Sequence, residues 1–160
     1  MIDSPLMLLT FGTALGCGLM AGVFFALSTF VMKALARLPP AQGIAAMQSI
    51  NVVAITPVFM AALFGTAAAC LLLALSSLFV RPPGAVYLIV GSLLDLVGTI
   101  LVTVAFNVPR NDALAAADPS SANGARLWAD YVVSWTACNH VRTAAALSAS
   151  ALLIIGLYVP

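Results

Sequence analysis

Charge is what this sequence lacks. Of 160 residues, six are Lys or Arg and five are Asp or Glu, 7% of the chain. A soluble domain carries roughly 25%. Eleven charges cannot dress a water-facing surface, and a net charge of +1 provides no basic face for nucleic acid. Histidine is nearly absent too, with His140 standing alone. The three cysteines, Cys17, Cys70 and Cys138, form no CxxC and no metal-ligand spacing. An odd number of thiols in or near apolar runs argues against a disulfide framework. They read as small packing side chains, and neither a metal nor a cofactor is expected. No nucleotide-binding fingerprint, internal repeat or domain linker is found. Met1-Ile-Asp-Ser-Pro5 lacks the basic segment of a secretory signal, so the first apolar run reads as a mature helix.

What is abundant is hydrophobic residue: 63% of the chain, with a mean hydropathy of +1.14. It falls into four runs, Leu6 to Met32, Val52 to Val80, Ala85 to Val108 and Val141 to Val159. Each passes the ~18 residues that mark a membrane-spanning helix. The runs are continuous rather than alternating, which favours helices over a barrel. The expected fold is an all-α, integral membrane four-helix bundle. It forms a single domain over residues 1–160, with spans at about 6–32, 52–80, 85–108 and 139–159. A short cytoplasmic helix, Ala41 to Ser49, is expected between the first and second spans. Arg81-Pro82-Pro83-Gly84 reads as a tight hairpin. Pro57 should bend the second helix and Pro109 should end the third. Gly12, Gly16, Gly18 and Gly22 give the first helix two small-xxx-small patterns. These suit close packing within the bundle, with a homo-oligomer as their other use.

The loop at residues 33–51 and the loop at residues 109–140 share one side, with Lys33, Arg37, Arg110, Arg126 and Arg142, against Arg81 alone on the other. The positive-inside rule then places both long loops in the cytoplasm and both termini outside, in the cell inner membrane. The polar chemistry gathers on the loop side. Asn51 begins the second span, Asn107 ends the third, and Asn139, His140 and Arg142 enter the fourth. From about Ala125 the pattern is helical, with Trp128, Tyr131, Trp135, Asn139 and Arg142 near one stripe. About 20 residues separate His140 from the C-terminus, roughly one bilayer core. Polar groups at that depth are functional candidates.

Each has a plainer use as well. His140 can bond a backbone carbonyl at the interface. Arg142, about 200° around the helix from His140, can snorkel to headgroups. Trp128 and Trp135 can form an interfacial aromatic belt, and Asn51, Asn107 and Asn111 can serve as caps or turn residues. Asp95, near the middle of the third span, should be protonated or bonded to a serine or threonine of another helix, with a proton relay as its functional alternative.

At the loop residues the sequence resembles the anthrone oxygenase-like family of small membrane proteins. The resemblance is carried by Gly18-Leu-Met-Ala-Gly22-Val-Phe-Phe, Met47-Gln-Ser-Ile-Asn51, Pro57-Val-Phe59, Asn107-Val-Pro109-Arg-Asn111-Asp-Ala-Leu114 and Trp135-Thr-Ala-Cys-Asn139-His140-Val-Arg142-Thr143. By that resemblance Asn51, Asn107, Asn111, Trp135, Asn139, His140 and Arg142 occupy motif positions. Thr56 stands where asparagine is common and Cys138 where an aromatic is common, and both bear on pocket lining.

The resemblance implies a cofactor-independent oxygenase taking O2 and an anthrone-like or other polycyclic phenolic substrate from the lipid bilayer. Under it, His140 is the general base. Asn107, Asn139 or Arg142 holds the developing oxyanion, and Trp135 stacks on the rings, with Asn51, Asn107 and Asn111 among the substrate contacts. The competing reading is a non-enzymatic membrane module that binds a lipid, quinone or hydrophobic metabolite, or a subunit of a membrane complex. A haem variant, with His140 as axial ligand, lacks a second ligand.

Overall fold

The computed structural model describes residues 4–159. Met1 to Asp3, on which part of the signal-segment reading rests, and Pro160 lie outside them. The described chain is helical, with no strand among the described residues. Four helices are long and apolar enough to cross a membrane: α1 (Pro5–Leu35), α3 (Pro57–Val80), α4 (Ala85–Ala115) and α5 (Ala122–Tyr158). Between α1 and α3 lies the shorter α2 (Pro40–Val53). The chain is thus a multi-pass membrane bundle. Its outer surface is studded with exposed Leu, Val, Ile and Phe, as lipid-facing helices require.

The four long helices form a ring, in which α5 packs on α1 and α4, and α3 packs on α4 and α1. Small residues set the spacing. A β-carbon at Gly16 would collide with Thr66 of α3, and one at Gly98 with Ala145 of α5. Gly18 approaches Ser150 of α5, whereas nothing lies within 4 Å of a β-carbon at Gly12 or Gly22. Each small-xxx-small pair therefore turns one glycine inward, consistent with packing inside the bundle. The hairpin forms as expected. Arg81 closes α3 in a left-handed conformation (φ 50°) and Gly84 opens α4 at φ 75°. A β-carbon on Gly84 would strike the Gly156 carbonyl, so this turn needs glycine for both angle and room.

Three boundaries differ from expectation. Pro57 does not bend a helix but starts one. It is the first residue of α3, where a missing N–H costs nothing, and Thr56 caps the end by accepting a hydrogen bond from the Phe59 N–H (3.2 Å). Asn51 therefore belongs to the last turn of α2 rather than to the start of a span. Pro109 does not end α4, which runs on to Ala115. The reason lies just upstream, where Leu96–Leu101 and Thr103–Asn107 are wound as π-helix. A wide turn already has its hydrogen-bond ladder out of step, so a proline without an N–H is accommodated there. A third π-turn, Leu27–Val31, interrupts α1. Finally, α5 starts at Ala122. Ser121 caps it, accepting from the Gly124 N–H (2.9 Å) and donating to the Asp118 carbonyl (2.9 Å). The Asp118 carboxylate accepts from the Ser120 hydroxyl (2.7 Å) and N–H (2.9 Å), which hold it below the usual carboxylate range.

Candidate functional site

The inner stripe of α5 carries the site, as the periodicity of Trp128, Tyr131, Trp135, Asn139 and Arg142 predicts. All five are buried. The three aromatics stack in series: Trp128 on Tyr131 at 5.7 Å and 15°, and Tyr131 on Trp135 at 6.0 Å and 21°. They are not an interfacial belt. Trp135 spends one ring face on Tyr131, which limits what else it can stack on. Helix α2 covers this wall. Its Gly43 sits so close to the Trp128 ring that a β-carbon would collide, and Gln48 donates to the Leu114 (2.8 Å) and Ala117 (3.2 Å) carbonyls at the end of α4. The helix expected between the first two spans is therefore a roof over the aromatic wall rather than a free element.

Asparagines tie the wall to α1 and α4. Asn111 Oδ1 accepts from both the Tyr131 hydroxyl and Trp135 Nε1, each at 2.8 Å. Asn107 Nδ2 donates to the Trp135 carbonyl (3.4 Å). Asn139 Nδ2 donates to the Phe24 carbonyl (2.7 Å) and to Ser28 Oγ (2.6 Å) on α1. The Asn51 side chain approaches the Tyr131 hydroxyl from α2. The π-turns set this convergence. Each inserts a residue and so rotates the downstream part of its helix by about 100°. Ser28 lies within one and Asn107 at the end of another. Such turns are rare and concentrate at functional sites.

Arg142 does not snorkel. It is 6% exposed, with its guanidinium carbon 3.8 Å from the centroid of the Phe24 ring. A cation over a desolvated ring gains roughly 2 kcal/mol, far less than burying a charge costs. Its Nε has no hydrogen-bond partner, and no carboxylate of the described residues pairs with it. Around it, Asn51 Nδ2, Asn107 Oδ1 and Asn139 Oδ1 are also buried and unpartnered. Buried polar groups are nearly always satisfied in folded proteins. These four atoms form a buried polar cluster at the loop end of the bundle.

His140 is not part of that cluster. It is exposed, on the other face of α5, beside a groove of about 350 Å³ between α1 and α5. The groove is lined by Met32, Lys33, Val133, Ala137 and His140, with Ser28 and Thr136 at its base. His140 and Arg142, about 200° apart around the helix, thus lie on different faces of α5. The other six motif residues belong to the buried polar cluster and the aromatic wall beside it, and His140 sits across a wall from them. That wall is thin, because Ser28 both lines the groove and holds Asn139. Sequence reasoning missed Ser28 and Phe24, which lie in an apolar run without local signal. Tyr131 was placed on the stripe but not among the site residues. No group of three metal-ligating side chains forms in the cluster among the described residues.

Fold and site together define a membrane bundle with a buried, cationic polar cluster beside stacked aromatics on the side of its long loops. The chain belongs to the anthrone oxygenase family, which it matches over residues 57–152, from the start of α3 into the second half of α5. No curated protein and no solved structure matches it significantly.

Proposed function

We propose that the chain is a membrane oxygenase that converts the acidic CH2 of an anthrone-like, polycyclic phenolic substrate to a carbonyl, without a cofactor. The observation that carries this reading is the buried Arg142 guanidinium with its unpartnered Nε. Such a group stabilises an anion far better in a dry site than in water, and the reaction needs one. Removing a proton from the carbon opposite the ketone leaves an enolate with its charge on oxygen. That electron-rich ring reacts with O2, and CH2 plus O2 becomes C=O plus H2O.

His140, Asn139 and Arg142 divide the work in this proposal. A flat substrate moves sideways from lipid into the groove, whose volume falls within the usual range for small-molecule sites. Its oxygen edge turns toward Ser28, whose oxygen already accepts from Asn139 and whose proton is left to donate. Arg142 supplies positive charge from behind, and Asn51, Asn107, Asn111 and Trp135 hold the wall. The opposite edge of the ring, which carries the acidic carbon, then faces the imidazole as general base. Ketone and acidic carbon lie on opposite edges of the central ring, which fits Ser28 and His140 at two sides of one groove.

The chain is proposed to act as a single membrane domain in the cell inner membrane, with its long loops cytoplasmic and its termini outside. With Arg142 buried, the loop-side cations left for the positive-inside rule are Lys33, Arg37, Arg110 and Arg126, still against Arg81 alone. The test is purified protein in detergent with an anthrone and O2, with quinone followed by absorbance. Wild type should exceed empty micelles, and His140→Ala and Arg142→Met should not. A wild-type rate equal to that of micelles overturns the reading.

A further inference from the structure

Away from the polar cluster, near the middle of three helices, Cys17 of α1, Cys70 of α3 and Asp95 of α4 meet. All three are buried, and their ligand atoms lie within 4.8 Å of one another. The two sulfurs are 3.8 Å apart. We propose that these residues form a binding site for a thiophilic divalent cation of the zinc type. This rests on nothing in the oxygenase reading.

Three observations carry it. The first is spacing: two thiolates at ~2.3 Å from a tetrahedral zinc stand about 3.8 Å apart, the separation already present. An Asp95 carboxyl oxygen lies within 4.8 Å of both sulfurs. The second is orphaned oxygen. Asp95 Oδ1 and Thr99 Oγ1 are buried without partners, and Thr99 lies one turn beyond Asp95 and next to its carboxyl. A carboxyl oxygen with no donor is costly in an apolar core, and a cation between it and the sulfurs removes that cost. Thr99, or one water, completes four-coordination. The third is charge. The site lies among apolar helices where net charge is expensive. A divalent ion bound by two thiolates, with Asp95 coordinating through its carbonyl oxygen and keeping its proton, is neutral. A monovalent ion on the same two thiolates leaves a net negative charge. Each thiol gives up its proton as the ion binds.

The ligands come from three helices, so an ion would cross-link α1, α3 and α4. The α1–α3 contact is the slightest of the four that close the ring.

The experiment uses the full chain in detergent, kept reduced and anaerobic, titrated with Co2+ and then with Zn2+. A sulfur-to-cobalt charge-transfer band in the near ultraviolet, with tetrahedral ligand-field bands, should saturate at one ion per chain and vanish on adding Zn2+. Cys17→Ser and Cys70→Ser should each weaken binding by roughly tenfold or more, and Asp95→Asn by less. Cys138→Ser should leave it unchanged. Wild type that shows no such band at stoichiometric Co2+, with the sulfurs merely packed as neutral thiols, overturns the proposal without reference to any variant. So does a band that depends on Cys138.

Discussion

Asn139 and His140 are consecutive on α5, and the bundle uses them in opposite ways. Asn139 is fully buried and bonded to two groups of α1, while His140 is exposed and faces a groove. The comparison teaches that polar chemistry in this protein is organised by helix face rather than by motif. The inner face carries structure and charge together, because each polar group there is desolvated and answers to its neighbours. The outer face can carry chemistry without carrying the fold.

The largest expected effect lies on the outer face. His140→Ala should lower turnover by roughly 10²- to 10⁴-fold, the span of a positioned general base. The melting temperature in detergent should stay where it is, since an exposed side chain is removed. A turnover close to wild type would break the comparison, confining the chemistry to the inner face. Arg142→Met comes next, with turnover down about 10²- to 10³-fold, as for other lost oxyanion donors. Its stability should not fall, because an unpaired buried cation is a burden on the fold. Arg142→Lys should rescue only in part, since an ammonium lacks the planar fork that lies over Phe24. If Arg142→Met unfolds the protein, the guanidinium is a structural element and the oxyanion reading fails.

Asn111→Ala should show the reverse signature. It strands two buried donors, the Tyr131 hydroxyl and Trp135 Nε1, at about 1–3 kcal/mol each. Unfolding by SDS titration should report a loss of roughly 2–6 kcal/mol. Val133→Ala on the outer face, 73% exposed, should stay within about 0.5 kcal/mol.

Much of this was legible in advance. Four apolar runs specify four spans, because hydrocarbon tolerates little else. The 3.6-residue period brings Trp128, Tyr131, Trp135, Asn139 and Arg142 to one face, and the same period turns His140 about 100° away from Asn139. The contiguity of the Asn139-His140-Val-Arg142 motif hides that rotation. The two proline readings failed because each needs the hydrogen-bond state of its neighbours. Pro57 follows the end of α2, and Pro109 follows a π-turn that nothing in Thr103–Asn107 announces. Asp95 was expected to be protonated or to bond a hydroxyl on another helix. Its neighbours are instead Thr99 of its own helix and two thiols. That meeting depends on the relative register of three helices, which local sequence does not encode.

The last test concerns the wall between the two faces. Ser28 is 1% exposed as a residue, yet it sits at the base of the groove and accepts from Asn139. Ser28→Ala removes one oxygen that serves both sides. On the inner side Asn139 keeps its bond to the Phe24 carbonyl, so the cost to stability should be about 1 kcal/mol. On the groove side the loss is one neutral donor to the substrate oxygen, with Arg142 still in place. Turnover should therefore fall by roughly tenfold, well short of an oxyanion-hole deletion. The double variant Ser28→Ala, Arg142→Met decides whether the faces communicate. If Ser28 and Arg142 act on the same oxygen, the second change should cost less after the first than alone, because neighbouring groups are not additive. If the two losses simply multiply, the groove and the polar cluster serve different molecules, and the substrate is not held across the wall.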